Sequence, residues 1–250
     1  MSDLPDVKRV ALGQYVASYR EAGHGNAVVM VPGLGLSSRF YKHSYATFAR
    51  AGFRFIVPDL PGTGETPGPR GGIDADIVTA FMIEFVEALG LARSLFVGHS
   101  LGTQSVLLLA MRAPARVAGI VLVGPTGGGS DGKLLRQARG IAAETIRVHP
   151  GVIGAVAREY MHVSPLRYLG TWLKHRDGVS ETRLSEIDCP ALLLLGVRDA
   201  VIDRAYMALL KAQLRDVRVV ELPGGTHALP RGQHADFAAA VIEFAGNVRF

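Results

Sequence analysis

A serine with glycines two residues to either side, Gly98-His99-Ser100-Leu101-Gly102, is where residue type and spacing in this chain point most directly to chemistry. It follows the apolar run Leu95-Phe96-Val97 and precedes a helix-like run from Thr103 to Arg112. A serine at such a junction lies on a sharp strand-to-helix turn, where glycine relieves the clashes a flanking Cβ would suffer. The hydroxyl then stands above the sheet as a nucleophile. The backbone N–H of Leu101, at a helix start, points at a developing oxyanion. A second match, Gly128-Gly129-Ser130-Asp131-Gly132, lies in a Gly-rich stretch with no strand ending against its serine. Ser130 reads as a helix cap before Lys133, with Asp131 competing for that role.

A serine hydroxyl is a poor nucleophile at neutral pH and needs an adjacent base, usually a histidine held by a carboxylate. Of eight histidines, His227 follows the last strand pattern in Leu222-Pro223-Gly224-Gly225-Thr226-His227, at the sheet edge that Ser100 occupies. His99 adjoins the nucleophile, but neighbours on such a turn point apart, so it is assigned to the substrate pocket. His24 precedes a strand at the opposite edge, and His43 and His234 lie on helical patterns. His149, His162 and His175 fall in a later helical stretch. The carboxylate should follow another strand, and Leu195-Gly196-Val197-Arg198-Asp199 places Asp199 there. Asp203 and Asp131 are its alternatives.

A second oxyanion donor is expected from the loop Pro32-Gly33-Leu34-Gly35-Leu36-Ser37-Ser38, with the Leu34 N–H best placed. Gly33-Leu34-Gly35 also looks like half of a dinucleotide-binding fingerprint, with Asp59 at a plausible ribose position. The third glycine is replaced by Ser38, and Pro32 removes a donor. Metal-ligand spacing such as H-E-x-x-H is absent. Neither a cofactor nor a metal is expected.

The elements that must position these groups are legible as alternating patterns. Candidate strands are Val7–Leu12, Tyr15–Arg20, Ala27–Val31, Phe53–Val57, Ser94–Val97, Gly119–Val123, Ala191–Leu195 and Val217–Leu222. From the third onward they are continuous apolar runs, as in a parallel sheet covered on both faces, and the first two fit an antiparallel edge. Helical patterns occupy Arg39–Ala51, Asp74–Leu89, Leu101–Arg112, Arg204–Leu214 and Gln233–Asn247. In the second, Ile77, Phe81, Phe85 and Leu89 form one stripe and Gly90 ends it. The alternation predicts an α/β fold, a doubly wound, mostly parallel eight-stranded sheet.

From about 126 to 187 the alternation stops, leaving helical patterns near Lys133–His149, Val152–Met161 and Pro165–Lys174. Ser164 and Pro165 mark the start of the last. An insertion after the sixth strand falls where open α/β sheets bind ligands, so residues 126–187 are expected to form a helical lid. Residues 1–125 and 188–250 form the core. An oligomerisation surface is the competing role.

The chain has 250 residues, 48% hydrophobic and 20% charged, with a net charge of +5. Its basic residues are dispersed, which argues against nucleic acid as a partner. Arg136, Arg139, Arg147, Arg158, Arg167 and Arg176 fall in the insertion and read as exposed helix faces. Cys189 is the only cysteine, no apolar run spans a bilayer, and Met1 to Asp6 show no secretory signal. No membrane association and a cytoplasmic location are expected.

Taken together, Pro32-Gly33-Leu34-Gly35, Pro58-Asp59-Leu60-Pro61-Gly62-Thr63-Gly64, Gly98-His99-Ser100-Leu101-Gly102, Gly196-Val197-Arg198-Asp199 and Gly225-Thr226-His227 resemble the α/β-hydrolase family over essentially the full chain. The order Ser, Asp, His is that family's order. By this resemblance Asp59 to Gly64 is a turn supporting the site from behind. Pro32 stands where many relatives have His, and Thr103 where another Gly is common. Ser100 argues against the haloalkane dehalogenase and epoxide hydrolase branches, which use Asp. The resemblance implies a serine hydrolase with Ser100, Asp199 and His227 as triad and Leu34 and Leu101 N–H as oxyanion hole. Its partners would be water and a small, largely apolar acyl ester, thioester or lactone. Leu34, Leu36, His99, Leu101, Met161, Leu169 and Trp172 are assigned to the pocket. A C–C bond hydrolase of ring-cleavage dienones and a slow-turnover ligand receptor are the alternatives.

Overall fold

A computed structural model of the chain describes residues 4–127, 133–161, 163–174 and 181–250. The apolar runs form strands β1 (Lys8–Leu12), β2 (Tyr15–Ala22), β3 (Ala27–Val31), β4 (Arg54–Pro58), β5 (Ser94–His99), β6 (Val117–Val123), β7 (Ala191–Gly196) and β8 (Val217–Leu222). They build one eight-stranded sheet in the order β1-β2-β4-β3-β5-β6-β7-β8. β2 runs antiparallel to β1 and β4, and every pairing from β4 through β8 is parallel.

Between the strands lie α1 (Tyr45–Arg50), α2 (Ala75–Ala88), α3 (Gly102–Arg112), α4 (Lys133–Arg147), α5 (Pro150–Met161), α6 (Pro165–Lys174), α7 (Arg204–Gln213), α8 (Leu229–Gly232) and α9 (His234–Ala245). Alternate residues of each central strand face opposite layers. Val29, Val31 and Phe96 pack with Phe81, Phe85 and Val106 of α2 and α3. Val28, Met30 and Val97 pack with Phe48 and Phe237 of α1 and α9. All of these strand residues are fully buried, which is why those strands read as unbroken apolar runs.

Three local expectations shift. The helix predicted over Arg39–Ala51 is broken into a 3₁₀ turn, Ser38–Tyr41, and the short α1. The first segment closes i→i+3 instead of i→i+4, with Lys42 N–H on Arg39 O at 3.2 Å and Ser44 N–H on Tyr41 O at 2.9 Å, while Ser38 is held from outside by Asp59 Oδ1 on its N–H at 2.7 Å and Tyr45 Oη on its carbonyl at 3.0 Å. The buried stripe of α2 is rotated toward Val78, Phe81, Met82, Phe85 and Val86, leaving Ile77 only partly covered. Strand β8 is an edge with Arg218, Val219 and Glu221 exposed, rather than a strand buried on both faces.

The insertion after β6 contains α4, α5 and α6, then a 3₁₀ segment (Glu181–Glu186) leading into β7. Pro165 opens α6, and Tyr168 N–H bonds Ser164 O at 2.9 Å. Arg167 is no exposed charge: its guanidinium donates to the carbonyls of Pro69, Gly62 and Gly68 at 2.9, 3.0 and 3.1 Å, fastening α6 to the core. Ser130, Asp131, His162, His175 and Arg176 lie outside the described residues. Burial pushes the Cys189 thiol up to about 11, fitting a packed residue. Among the described residues no helix is long and apolar enough to cross a membrane.

Candidate active site

Ser100 lies between β5 and α3 with φ of +53°, the one described non-glycine residue with positive φ. That conformation costs an L-residue about 1–3 kcal/mol and persists only where its surroundings impose it. A Cβ at Gly98 would sit 2.7 Å from Thr103 Cα, and one at Gly102 only 2.4 Å from Val31 O, so both flanking positions demand glycine. Ser100 N–H donates to Val123 O at 2.9 Å, and Thr103 Oγ1 donates to Ser100 O at 2.6 Å. Thr103 thus braces the turn through a hydroxyl.

His227 Nε2 lies 2.8 Å from Ser100 Oγ, and His227 Nδ1 lies 2.8 Å from Asp199 Oδ2. Asp199 Oδ1 accepts the N–H groups of Val201 at 2.8 Å and Ile202 at 3.3 Å. The carboxylate accepts, so Nδ1 carries the proton and Nε2 is free to accept from the serine. Burial alone would raise the Asp199 carboxyl, but the adjacent imidazole and these hydrogen bonds outweigh it and hold it below the usual range. Burial alone would lower His227, but the Asp199 carboxylate, followed by Glu144, outweighs it and raises the imidazole above its ordinary value. Of the alternative carboxylates, Asp203 caps α7 through Ala205 N–H at 3.0 Å.

His99 is only 2% exposed and joins three segments of the site. Its Nε2 lies 3.0 Å from His227 O and its Nδ1 3.1 Å from Tyr41 Oη. A carbonyl only accepts, so Nε2 is protonated, Nδ1 accepts from the Tyr41 hydroxyl, and that oxygen accepts Gly33 N–H at 3.3 Å. Burial, with the neighbouring His227, pushes His99 down to about 3, so it stays neutral. Asp59 holds Ser38 N–H at 2.7 Å and Glu65 N–H at 3.0 Å, so both of its oxygens brace backbone rather than a ribose.

A cavity of about 340 Å³ opens over Ser100 and His227. Leu34, Leu36, His99, Leu101 and Trp172 lie on its wall, joined by Ile141, Val148, Val152, Val156 and Tyr160 of the insertion. Met161 and Leu169 do not line it. They are 77% and 47% exposed, because the faces of α5 and α6 that carry Tyr160, Tyr168 and Trp172 are the ones turned inward. Among the described residues, no protein acceptor takes the backbone N–H of Leu34 or Leu101. The alpha/beta hydrolase family model matches residues 28–240.

The chain belongs to the alpha/beta hydrolase family. It is 30% identical to a putative carbamate hydrolase RutD of Variovorax paradoxus (strain S110), covering 90% of this chain and 93% of that protein. It is 34% identical to a 2-hydroxy-6-oxo-6-phenylhexa-2,4-dienoate hydrolase of Comamonas testosteroni over 48% of this chain and 43% of that one. Its fold matches a thermophilic esterase from Thermogutta terrifontis with a TM-score of 0.82 and 22% identity, covering 97% of this chain and 98% of the other.

What sequence reasoning missed belongs mainly to the insertion and the 3₁₀ turn. Tyr41 and Glu144 contact the residues of the hydrogen-bonded chain or their supports, and neither sits in a recognisable motif. Buried Glu144 stands on α4 among apolar cavity residues. With Thr145 beside it and Arg147 one turn on, Glu144 reads locally as an ordinary solvated helix residue, so nothing in the sequence singles it out.

Proposed function

We propose that this alpha/beta hydrolase is a serine hydrolase that cleaves a carboxylic ester, thioester or lactone through an acyl-enzyme on Ser100. The observation that carries the reading is the unbroken chain Ser100 Oγ, His227, Asp199, with both links at 2.8 Å. His227 Nε2 takes the Ser100 proton as Oγ attacks the carbonyl, and Asp199 stabilises the resulting imidazolium. The Leu34 and Leu101 N–H groups receive the oxyanion, each contributing about 2.7–4 kcal/mol. The leaving group takes the proton back from His227. Water, activated by the same imidazole, then releases the acid.

The wall of the cavity supports an apolar acyl group, and among the described residues its charged side chain apart from the two imidazoles is the carboxylate of Glu144. A neutral substrate meets less repulsion there than an anionic one. Residues 126–187 act in this reading as a lid whose inner face selects the acyl group. The partners it requires are a small acyl compound and water, in the cytoplasm. The carbamate hydrolase relative fits the same acyl chemistry.

A second reading, C–C bond hydrolysis of a ring-cleavage dienone, is favoured by the similarity to the dienoate hydrolase over about half the chain. Offering a vinylogous 1,5-diketone beside p-nitrophenyl esters separates the two by relative kcat/KM. Ser100→Ala should abolish ester turnover and fluorophosphonate labelling. Either activity surviving in that variant would remove Ser100 as the nucleophile.

A further inference from the structure

The insertion buries two carboxylates. Glu144 of α4 and Glu159 of α5 are each 7% exposed, a placement that acids adopt only with strong partners. Glu144 Oε2 accepts the backbone N–H of His227 at 3.0 Å, and its Oε1 accepts the N–H of Ala200 at 3.0 Å. Those N–H groups belong to the base loop after β8 and to the acid loop after β7, one residue past Asp199. Glu159 Oε2 accepts Ser37 N–H at 2.9 Å, in the loop that carries Leu34.

We infer that the insertion completes the catalytic arrangement as well as covering it, with Glu144 a positioning residue that clamps the base loop to the acid loop. The inference rests on the hydrolase reading of Ser100, His227 and Asp199. Its physical basis is the His227 peptide group. The core holds the carbonyl oxygen through His99, and the insertion holds the N–H through Glu144. With both ends pinned, the His227 backbone is fixed, and the ring bonds to Asp199 and Ser100 orient the imidazole from there. With Glu144 gone, the N–H end is released on a loop that starts from the half-exposed edge strand β8.

Hydrogen bonds from backbone N–H to a carboxylate are charge-assisted, so one side chain spanning two loops makes a stiff clamp. Among the described residues, the groups facing the imidazole are Asp199 from the acid loop, neutral His99 from the end of β5, Ser100 just after it, and Glu144 from α4. Arg147, one turn further along α4, is engaged with Arg198 O at 3.3 Å. The Glu144 charge therefore adds to that of Asp199 in favouring the imidazolium.

The test compares wild type, E144Q and E144A by NMR titration of the His227 ring, kcat and KM on a p-nitrophenyl ester, and thermal unfolding. The His227 midpoint should fall in both variants, because a negative charge that favours the imidazolium is removed. E144A should lose about tenfold to a hundredfold in kcat with KM changed less than about threefold. E144Q keeps an acceptor oxygen for one N–H and should recover a clear part of that loss. A His227 midpoint unmoved in the folded, isosteric E144Q overturns the clamp. So do equal losses in E144Q and E144A that track thermal stability alone. If wild type neither turns over esters nor reacts with a fluorophosphonate, the hydrolase reading fails, and the ring titration still decides the clamp.

Discussion

His99 and His227 are linked through an imidazole on one side and a peptide carbonyl on the other, with His99 Nε2 3.0 Å from His227 O. The two histidines thus divide the work: one is locked neutral by burial and holds the loop, the other titrates. Because His99 also accepts from Tyr41, which accepts Gly33 N–H, the Ser100 turn, the Leu34 loop and the His227 loop form one hydrogen-bonded unit.

Replacing His99 by Leu should uncouple that unit. It leaves the His227 carbonyl and the Tyr41 hydroxyl without their buried partner, a loss of about 1–3 kcal/mol in unfolding free energy. The kcat on a p-nitrophenyl ester should fall with it. Urea denaturation beside kcat measurement checks both effects, and unchanged values in each would show the linkage to be idle.

The pH dependence follows from the raised imidazole. With His227 as the proposed base, turnover needs it neutral, so kcat/KM should climb with pH through a midpoint above the ordinary value of about 6.5. Stability runs the other way: the extra stabilisation from the charged pair is complete below about 6.5 and is lost as pH rises through the folded-state midpoint. A pH–rate profile with its acid limb below 6 would contradict this assignment.

Strain at Ser100 should be visible in stability. Ser100→Gly and Ser100→Ala both remove the hydroxyl, but only glycine accepts a φ of +53° without cost. The glycine variant should unfold about 1 kcal/mol harder than the alanine variant, or roughly 2–4 °C higher in Tm. Scanning calorimetry of the two variants measures the difference directly.

On the acyl-hydrolase proposal, the cavity wall sets acyl length. Val156→Trp should reduce kcat/KM for decanoyl esters by about tenfold or more while sparing acetyl esters, since overfilling a packed wall excludes long chains first. Met161→Ser and Leu169→Ser point away from the cavity and should leave the chain-length profile within about twofold of wild type. A length profile that follows Leu169 instead of Val156 would reverse the assignment of the inner face.

Much of this was open to reading in one dimension, because some constraints are local. A parallel strand covered on both faces must be apolar throughout, so Ala27–Val31 and Ala191–Gly196 declare themselves. A serine forced to positive φ needs Gly98 and Gly102, and those neighbours announce Ser100. His227 and Asp199 were recoverable from their places just past strand ends, because a parallel sheet brings those ends to one rim. The edge character of β8 was less legible, as Val217–Leu222 has enough apolar residues to pass for a central strand.

The local signals determined the strands, most of the helices and the three side chains of the hydrogen-bonded chain. Tertiary structure alone decided which way α5 and α6 turn, and so why Trp172 lines the cavity while Met161 and Leu169 meet solvent. It alone decided that Glu144 reaches the backbone of two loops 56 and 83 residues away. The reason is physical: a strand's periodicity and a turn's glycines are imposed by neighbouring atoms of the same segment. A buried carboxylate instead answers to N–H groups whose proximity arises only when distant segments pack.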